Sequence, residues 1–559
     1  MTLGQMLRET VGRFGDRTAF VTLGKEAISW SYQEVFTRVK GFAVTLRASG
    51  LTRGDRVCIV SENCPEWALF DWACQCLGLV VVPIYPTLPA DQTRYIVQNC
   101  GAAMVVGGAE DQLKKVAGME GVRTILLKGP GSLTEQAAIR EFDSGEFNAE
   151  IDAGLTDAPS TIIYTSGTTG TPKGAVMPNR AFVHVCHTAK GHIHLTENDR
   201  FLSFLPMSHV YERVAGQCLP VSLGATICYS RGLASLATEM KEYRPTIMLT
   251  VPRFLENLRE RILSSVQKDK PLRQKLFHLA LSQGVKKAKG QFAPLFPILD
   301  KLVGAKVRER TGGELRYFVS GGAALEPVVA EFYMAVGLNV LQGYGLTETC
   351  GGTFVNRPEN NKYWTVGEAL DMECKIGEDG EILIRGDALM LGYYEMPEET
   401  AQAIDPQGWF HTGDIGEFEG RNLKITDRKK DILVLANGKN VAPQMIENKL
   451  KVSPYIQEAV VLGDKMEFCV ALIVPNFEAV RNALHLGDEV VLSGNAEAKA
   501  LIKKEIDAVN KSVAAFEMVK KHALLDQPFS IESGEITPTL KVKRKFVEKK
   551  FASVIDGLR

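Results

Sequence analysis

The sequence predicts an α/β protein built on parallel sheets, with a small β-rich part and a separate carboxyl-terminal unit. Strand-like apolar runs alternate with amphipathic stretches in two blocks, at residues 56–108 and 199–319. Such alternation is typical of parallel strands joined by crossover helices. From Glu368 the pattern changes to short strands with tight turns, and Asp379-Gly380 is a strong hairpin signal. This part is predicted to be a small β-barrel-like subdomain.

A new α/β pattern begins after the charged run DRKKD at residues 427–431. It contains the apolar runs EAVVLG and VALIVPN, followed by long helical patterns from about Glu478. We therefore expect a large amino-terminal domain at residues 1–426 and a small, mobile α+β domain at residues 427–559. Within the large domain, residues 255–310 are lysine-rich and helical in pattern.

Composition excludes several classes of function. The net charge is -1, from 65 basic and 66 acidic residues, so no overall field favours nucleic acid or an anionic membrane. The run CLGLVVVPIYP at residues 76–86 is far shorter than the roughly 20 residues of a membrane span. The 11 cysteines lack CxxC spacing, and the first residues lack a signal-peptide pattern. These features predict a cytoplasmic protein with reduced cysteines.

The segment STIIYTSGTTGTPKGAVM carries the strongest chemical signal. An apolar strand runs into a loop rich in hydroxyls and glycines that ends at a lysine; its candidate phosphate-binding residues are Thr165, Ser166, Gly167, Thr168, Thr169, Gly170 and Lys173. Glycines let backbone N–H groups approach an anion, hydroxyls add donors, and lysine neutralises charge. The loop lacks the Walker spacing. The plain alternative is an ordinary Ser/Thr/Gly turn. Such a turn could account for six residues, but it accounts poorly for an eleven-residue pattern that combines a preceding strand, repeated hydroxyls and a lysine.

YTSGTTGTPKG resembles the phosphate loop of the adenylate-forming (AMP-binding) superfamily. Further blocks follow in that family's order: LPMSHVYER (205–213), SGGAAL (320–325), GYGLTET (343–349), GWFHTGD (408–414), TDRKKD (426–431), NGKNVAP (437–443) and TPTLKVKR (537–544). The resemblance covers essentially the whole chain. It is greatest to the long-chain fatty acyl-CoA synthetase branch.

The resemblance implies roles for the nucleotide-binding residues. Thr347 and Glu348 would act at the α-phosphate and Mg²⁺, a cation that prefers oxygen ligands. Without the family, the pair would be read as a helix start. Two glycine-rich segments would hold adenine, with Tyr344 stacking near it; their residues are Gly321, Gly322, Ala323, Gly343, Tyr344 and Gly345. Asp414 would accept the ribose hydroxyls, and Arg428 would contact the ribose.

The resemblance also implies the catalytic, hinge and acyl-side residues. Lys541 matches the lysine that reaches carboxylate and α-phosphate together, although Leu540 stands where many members carry glycine. Its competitors are the other basic residues of the same run, Lys543, Arg544 and Lys545, and a solvated helix face is the plain alternative. Lys430 matches the hinge about which the small domain swings. Gly438 would line the pantetheine passage, and His209 would bind on the acyl side without acting as a base.

The implied reaction adenylates a medium- to long-chain fatty acid with MgATP and passes the acyl group to coenzyme A. Enzymes that use aryl or short acids, or that load a carrier protein, share these motifs, as would a homologue that binds acyl-AMP or ATP without turnover. A metal cluster at His184, His187, His192 and His194 is disfavoured, since no recognised zinc spacing completes it. Transient contact with a membrane surface fits a greasy substrate, and the oligomeric state, monomer or homodimer, stays open.

Overall fold

The computed structural model describes residues 1–25, 27–138, 142–165, 172–537 and 542–559. The first part of the chain alternates helices and strands in this order: α1 (Leu3–Phe14), β1 (Thr18–Val21), β2 (Ser29–Ser31), α2 (Tyr32–Ala48), β3 (Arg56–Val60), α3 (Pro65–Leu77), β4 (Val80–Ile84), α4 (Ala90–Asn99), β5 (Met104–Gly107), α5 (Glu110–Lys114), β6 (Arg123–Leu126), α6 (Leu133–Ala138), α7 (Ser144–Asp152), β7 (Pro159–Thr165), β8 (Lys173–Pro178) and α8 (Asn179–His192).

The second block also alternates, with two short π-helical turns at Glu212–Cys218 and Asp300–Gly304 and a 3₁₀ turn at Thr347–Thr349. Its regular elements are β9 (Arg200–Ser203), α9 (Leu219–Leu223), β10 (Thr226–Tyr229), α10 (Leu236–Tyr243), β11 (Ile247–Thr250), α11 (Pro252–Gln267), α12 (Pro271–Ala288), α13 (Phe296–Leu299), α14 (Ala305–Glu309), β12 (Tyr317–Ser320), α15 (Pro327–Ala335) and β13 (Asn339–Tyr344).

The remaining elements form the β subdomain and the carboxyl-terminal unit. They are β14 (Phe354–Val355), β15 (Glu368–Ala369), β16 (Glu373–Ile376), β17 (Glu381–Arg385), β18 (Gly392–Tyr393), α16 (Pro397–Ala403), β19 (Phe410–Glu419), β20 (Asn422–Arg428), β21 (Leu433–Val434), β22 (Asn440–Val441), α17 (Pro443–Lys451), β23 (Ile456–Leu462), β24 (Cys469–Pro475), α18 (Phe477–Leu484), α19 (Ala496–Asn510), β25 (Val519–Leu524), α20 (Arg544–Lys550) and α21 (Ala552–Asp556), with a 3₁₀ turn at Leu492–Gly494.

Two large sheets dominate the described part of the chain. One has seven strands in the order β18-β8-β7-β4-β3-β5-β6, and the other has nine in the order β15-β14-β13-β12-β11-β9-β10-β1-β2. Strands β3 to β7 pair in parallel, as do β9 to β13. The predicted α/β class, with a large amino-terminal domain and a smaller carboxyl-terminal one, is confirmed. The predicted hairpin at Asp379-Gly380 joins β16 to β17, and Gly380 has φ +82 there.

The main core lies between the two large sheets. Helices α1, α2, α3 and α8 contribute buried side chains to it, including Trp67 and Phe182. Helix α2 begins at a capping box, in which Ser31 and Glu34 each bond the other's backbone N–H. Helix α3 begins with Pro65 and ends at Gly78, whose φ of +68 suits a residue without Cβ. A second cluster covers the outer face of the nine-stranded sheet, under α11, α12 and α15.

The carboxyl-terminal unit has its own sheet, in which β23 pairs antiparallel and β25 parallel with β24. All seven residues of β24 are buried. Strand β20 runs to Arg428, one residue past the predicted start of this unit at Asp427. The predicted boundary between residues 426 and 427 therefore falls inside the last residues of a strand. Its position stays a prediction.

Candidate active site

Two strand ends flank the predicted phosphate loop. Thr165 closes β7 and Lys173 opens β8, and the two residues are paired directly across the antiparallel ladder. The loop residues Ser166, Gly167, Thr168, Thr169 and Gly170 lie outside the described residues. The Lys173 ammonium lies 5.3 Å from the centre of the Tyr393 ring. A cation therefore stands at the point where the predicted anion-binding loop returns to the sheet.

Tyr393, which contacts Lys173, also contacts Glu348. The Tyr393 hydroxyl donates a hydrogen bond of 2.8 Å to Oε1 of Glu348, and burial raises the pKa of Tyr393 above its ordinary value. Thr347 and Glu348 form the 3₁₀ turn after β13. One tyrosine thus links the lysine of the phosphate loop to the predicted magnesium carboxylate, although Lys173 and Tyr393 are 220 positions apart in sequence.

The two glycine-rich segments meet at one edge of the nine-stranded sheet. Gly321, Gly322 and Ala323 follow β12, Gly343 and Tyr344 end β13, and β12 and β13 are parallel neighbours. A Cβ on Gly345 would lie 2.5 Å from the carbonyl carbon of Gly351, so only glycine fits there. Carboxyl ends of adjacent parallel strands are the usual place for ligands in open α/β sheets.

Asp414 joins this edge from the β subdomain. It is 4 % exposed and stands opposite Arg428 in the β19–β20 pair, with Arg428 Nε 3.3 Å from Oδ1. The Tyr344 hydroxyl donates a 2.5 Å hydrogen bond to Oδ2. Burial and the Asp414 charge raise the pKa of Tyr344 well above its ordinary value. The predicted adenine and ribose residues are therefore in direct contact.

An apolar slot leads inward from the same edge. His209 and Tyr211 lie on its wall, and its free volume is about 70 Å³, which makes it narrow. The slot runs between the inner face of the nine-stranded sheet, α8 and the π-helical turn. Its other lining residues are Val185, Ala189, Ile193, Leu195, Phe201, Val214, Ala215, Leu219, Ile247, Leu249, Val319, Gly321, Gly322, Gly343, Tyr344, Gly345, Gly351, Gly352, Phe354, Val355 and Leu370.

The register of the strands gives the depth of this slot. Ile247 pairs with Tyr317 on one side and with Phe201 on the other, and Gly321 lies four residues beyond Tyr317. At about 3.3 Å per residue, the inner end lies about 13 Å from the glycine edge. Phe201 and Ile247 are buried, and both line the slot.

Two buried charge networks were missed or misjudged by sequence reasoning. Arg213 donates to both carboxylate oxygens of Asp71, at 2.8 and 2.5 Å, and to Thr161 Oγ1. This network ties α3 and the π-helical turn to β7, the strand that enters the phosphate loop. Glu212, which belongs to the LPMSHVYER block, is fully buried and accepts a bond from Ser203 Oγ at 2.6 Å. Burial raises the pKa of Glu212 to about 8.

The residues of the basic run KVKRKFVEKK near the carboxyl terminus have different environments. Lys541 lies outside the described residues. Arg544, one of its competitors, is committed to a two-pronged ion pair with Glu447 at 2.5 and 2.9 Å and donates to the Val461 carbonyl. The interpretation of this run as a solvated helix face is therefore wrong at Arg544, because its guanidinium bonds Glu447 and Val461 inside the small domain.

The positions flanking Lys541 are well held. Ile536 and Val542 form an isolated antiparallel bridge, and the Lys543 N–H donates to the Glu535 carbonyl at 2.7 Å. The Glu535 carboxylate is buried and bonds both Lys550 and Ser533. The described residues on the two sides of Lys541 are therefore bonded to each other.

The predicted hinge and passage residues lie at the start of the small domain. Lys430 is exposed just after β20, while its neighbour Lys429 pairs with Asp379 at 2.6 Å and Glu381 at 3.1 Å. Gly438 has φ +78 in the turn between β21 and β22, and a Cβ there would meet no atom within 4 Å. Lys430 lies two residues after Arg428, which contacts Asp414, and Gly438 lies in the β21–β22 turn; the hinge and passage roles of both residues stay predictions.

The histidines of the disfavoured metal cluster have separate partners. His184 and His192 bond the carbonyls of Leu370 and Val355, at 3.0 and 3.1 Å, and His194 contacts Glu359. Across the described ranges, no group of three or more His, Cys, Asp or Glu side chains is arranged to hold a metal. No helix within those ranges is long and apolar enough to cross a membrane.

Comparison with known proteins identifies the class. The profile of AMP-binding enzymes matches residues 7–394, and that of the AMP-binding enzyme carboxyl-terminal domain matches residues 430–559. The chain belongs to the family of AMP-binding enzymes.

Individual relatives narrow the branch. The long-chain-fatty-acid–CoA ligase FadD15 of Mycobacterium bovis is 34% identical, over 94% of this chain and 91% of that protein. Fatty acyl-CoA synthetase A of Dictyostelium discoideum is 31% identical, over 94% and 85%. The adenylation domain of a carboxylate reductase from Mycobacterium chelonae shares the fold, with a TM-score of 0.79 at 24% identity, covering 100% of this chain and 91% of that one.

Proposed function

We propose that this chain is an ATP-dependent ligase that joins a medium- to long-chain fatty acid to coenzyme A through an acyl-adenylate, releasing pyrophosphate and AMP. The observation that carries the proposal is the apolar slot that opens at the same glycine edge as the candidate nucleotide residues. A carboxylate whose tail fills that slot would have its head beside the phosphates. The curated relatives, named as fatty acid–CoA ligases, support the same activity.

In the proposed adenylation step, different residues bind different parts of ATP and the acid. Thr165 to Lys173 hold the phosphates, Asp414 and Arg428 the ribose, and the two glycine segments the adenine. Lys541 reaches the acid and the α-phosphate, offsetting negative charge as one anion attacks another. Thr347 adds a hydroxyl at that phosphate.

Glu348 is the proposed carboxylate for Mg²⁺. Its Oε1 accepts from Tyr393, which orients the group toward the phosphate loop side. A single protein carboxylate suits Mg²⁺, which keeps waters and takes its other ligands from substrate phosphates. When bound, the cation would neutralise charge on the phosphates.

The second half-reaction uses other residues. We propose that the small domain turns about Lys430, so that Lys541 leaves and the Gly438 turn lines the passage of the pantetheine arm. The coenzyme A thiol then attacks the acyl carbon, and AMP leaves. The 11 cysteines are free thiols, which supports a reducing compartment such as the cytoplasm.

The test measures AMP from MgATP with a ladder of fatty and aryl acids, with and without coenzyme A. We expect CoA-dependent AMP release with aliphatic acids, lost in Lys541→Ala and retained in Lys545→Ala, a matched lysine of the same run. Pyrophosphate release without thioester would point instead to loading of a carrier protein. Turnover only with aryl or short acids would overturn the chain-length assignment, and binding of ATP without turnover would leave a non-catalytic homologue.

A further inference from the structure

Glu381 is a buried carboxylate to which the proposed reaction assigns no role. It is the first residue of β17 in the β subdomain and is 6% exposed. Its Oε1 accepts the Gly413 N–H at 2.8 Å. Its Oε2 accepts a bond from the Lys429 ammonium at 3.1 Å and lies 3.2 Å from Nδ1 of His411. Gly413 and His411 belong to β19, and Lys429 follows β20, so one carboxylate joins β17 to both of the next strands.

The bonds of Glu381 keep its carboxylate charged inside the subdomain. Burial raises the pKa of Glu381, but the bonds from Lys429, Gly413 and His411 outweigh burial and hold the pKa below its ordinary value of 4.5. A buried carboxylate is tolerated when hydrogen-bond donors compensate its charge. The charge of Glu381 therefore stabilises the contact of a backbone amide, an ammonium and an imidazole at one point.

One of these contacts fixes the turn that carries Asp414. Gly413 has φ +70, and its N–H donates to Glu381. The Gly413 carbonyl accepts the Lys429 N–H at 2.8 Å, so both polar groups of this residue are bonded. Asp414, proposed to bind the ribose, is the next residue. The direction of its carboxylate thus depends on a turn that Glu381 holds in place.

Another contact fixes the chain up to the predicted hinge. The Lys429 ammonium bonds Glu381 at 3.1 Å and Asp379 at 2.6 Å. Its backbone N–H bonds Gly413, as described above. Lys430, the next residue, makes no hydrogen bond or ion pair within the described ranges. Residue 429 is therefore bound to the β subdomain, and residue 430 is the first that is free to turn.

We propose that Glu381 is a positioning residue that holds the Asp414 turn and Lys429 in one arrangement, so that ribose binding and the turning point of the small domain depend on the same carboxylate. The inference rests on the proposed function, because it gives Glu381 a part in the same two-step reaction. The Asp414 turn acts on the binding of ATP. Lys429 acts on the placement of the small domain, which carries Lys541.

The test separates ATP binding from turnover. Calorimetry measures the dissociation constant of MgATP without an acid, and pyrophosphate exchange and thioester formation report on the two half-reactions. Glu381→Gln should weaken ATP binding and slow both half-reactions, each about tenfold, because a hydrogen bond to a charged group is lost. Lys429→Met should slow both half-reactions but leave the dissociation constant unchanged, because its backbone N–H still holds Gly413.

A second carboxylate of the β-rich region provides the matched control. Glu368 in β15 is also 6% exposed, and it pairs with Arg357 and Arg421. Glu368→Gln should lower the thermal midpoint and leave ATP binding and both half-reactions unchanged. The double variant Glu381→Gln, Lys429→Met should slow the half-reactions no more than Glu381→Gln alone, since residues that act as a pair are not additive.

Three outcomes would count against Glu381 as a positioning residue. Equal effects of Glu381→Gln and Glu368→Gln on ATP binding would show a general loss of stability. Additive losses in the double variant would show that Glu381 and Lys429 act separately, and unchanged ATP binding in Glu381→Gln would remove its link to Asp414. A wild type that binds ATP but adenylates no acid would instead overturn the proposed function, and the comparison of ATP binding would still decide the role of Glu381.

Discussion

The Tyr344 hydroxyl and the Asp414 carboxylate are joined by a hydrogen bond of 2.5 Å between β13 and β19. This bond links the two glycine segments to the β subdomain, and it orients a carboxylate that is proposed to accept both ribose hydroxyls. Tyr344 therefore holds Asp414 in place, beside the stacking on adenine proposed for its ring.

Tyr344→Phe should raise the KM for ATP about tenfold, because a hydrogen bond to a charged group contributes about 1.5–3 kcal/mol. The measurement is steady-state AMP formation at varied ATP. Tyr363→Phe is the matched control, since Tyr363 donates a 2.5 Å bond to Glu331 outside the site. An equal KM change in both variants would show a general effect on folding instead.

Glu535→Gln should lower the rate of adenylation, because Glu535 anchors the bridge that flanks Lys541. Burial would raise the pKa of Glu535, but the bonds from Lys550 and Ser533 bring it down to about 2. The wild-type stability that depends on this carboxylate is present above its ordinary pKa of 4.5 and is lost as pH falls toward 2.

The readout is pyrophosphate exchange together with thermal unfolding between pH 2.5 and 6. Lys550→Gln, which removes the partner of Glu535, should change the exchange rate and the thermal unfolding in the same way as Glu535→Gln. Asp507→Asn breaks the exposed pair with Lys503 in the same domain and should change neither. A normal exchange rate in Glu535→Gln would refute the anchoring role.

Phe201→Ala and Ile247→Ala should each shift the preferred acid to longer chains, by about two to four carbons. Single bonds of about 1.5 Å advance an extended chain about 1.3 Å per carbon, so about 13 Å along the strands corresponds to about ten carbons, for which the lining side chains of the slot must move apart because its free volume is about 70 Å³. The measurement is kcat/KM over a ladder of acids. Leu202→Ala and Met248→Ala, next in sequence but on the other sheet face, should leave the optimum in place.

Glu212→Gln should flatten the pH dependence of stability. Burial raises the pKa of Glu212 to about 8 from 4.5, while Ser203 partly opposes the shift. The folded state then binds more protons than the unfolded state, so wild-type stability falls as pH rises from 4.5 to 8. Thermal midpoints should converge with those of the variant at low pH and diverge at high pH. The exposed Glu489→Gln should follow the wild type throughout.

Arg213→Met should destabilise the fold by about 3–5 kcal/mol, because it leaves the Asp71 charge buried without its partner. Adding Asp71→Leu should restore most of that loss. Denaturant unfolding of the wild type, both single variants and the double variant measures the coupling. Additive losses would mean that Asp71 and Arg213 do not act as a pair.

Sequence alone determined the α/β class and most elements of both alternating blocks, because local periodicity and turn residues report on those directly. The residue pattern also located the phosphate loop as a candidate, whereas Glu348 and Asp414 became candidates only through the resemblance to the AMP-binding superfamily. The positions of α1, β1 and β2 were not predicted: β1 joins the second sheet beside β10, far along the chain.

Only the tertiary structure decided which residues meet. The contact of Tyr393 with both Lys173 and Glu348, the bond from Tyr344 to Asp414, and the burial of Glu212 and Arg544 all depend on segments distant in sequence. Periodicity shows which side of a strand is apolar, but the partner on that side is set by how sheets and helices pack. Phe201 and Ile247 line the slot side by side because β9 and β11 are neighbours, a pairing that no local pattern encodes.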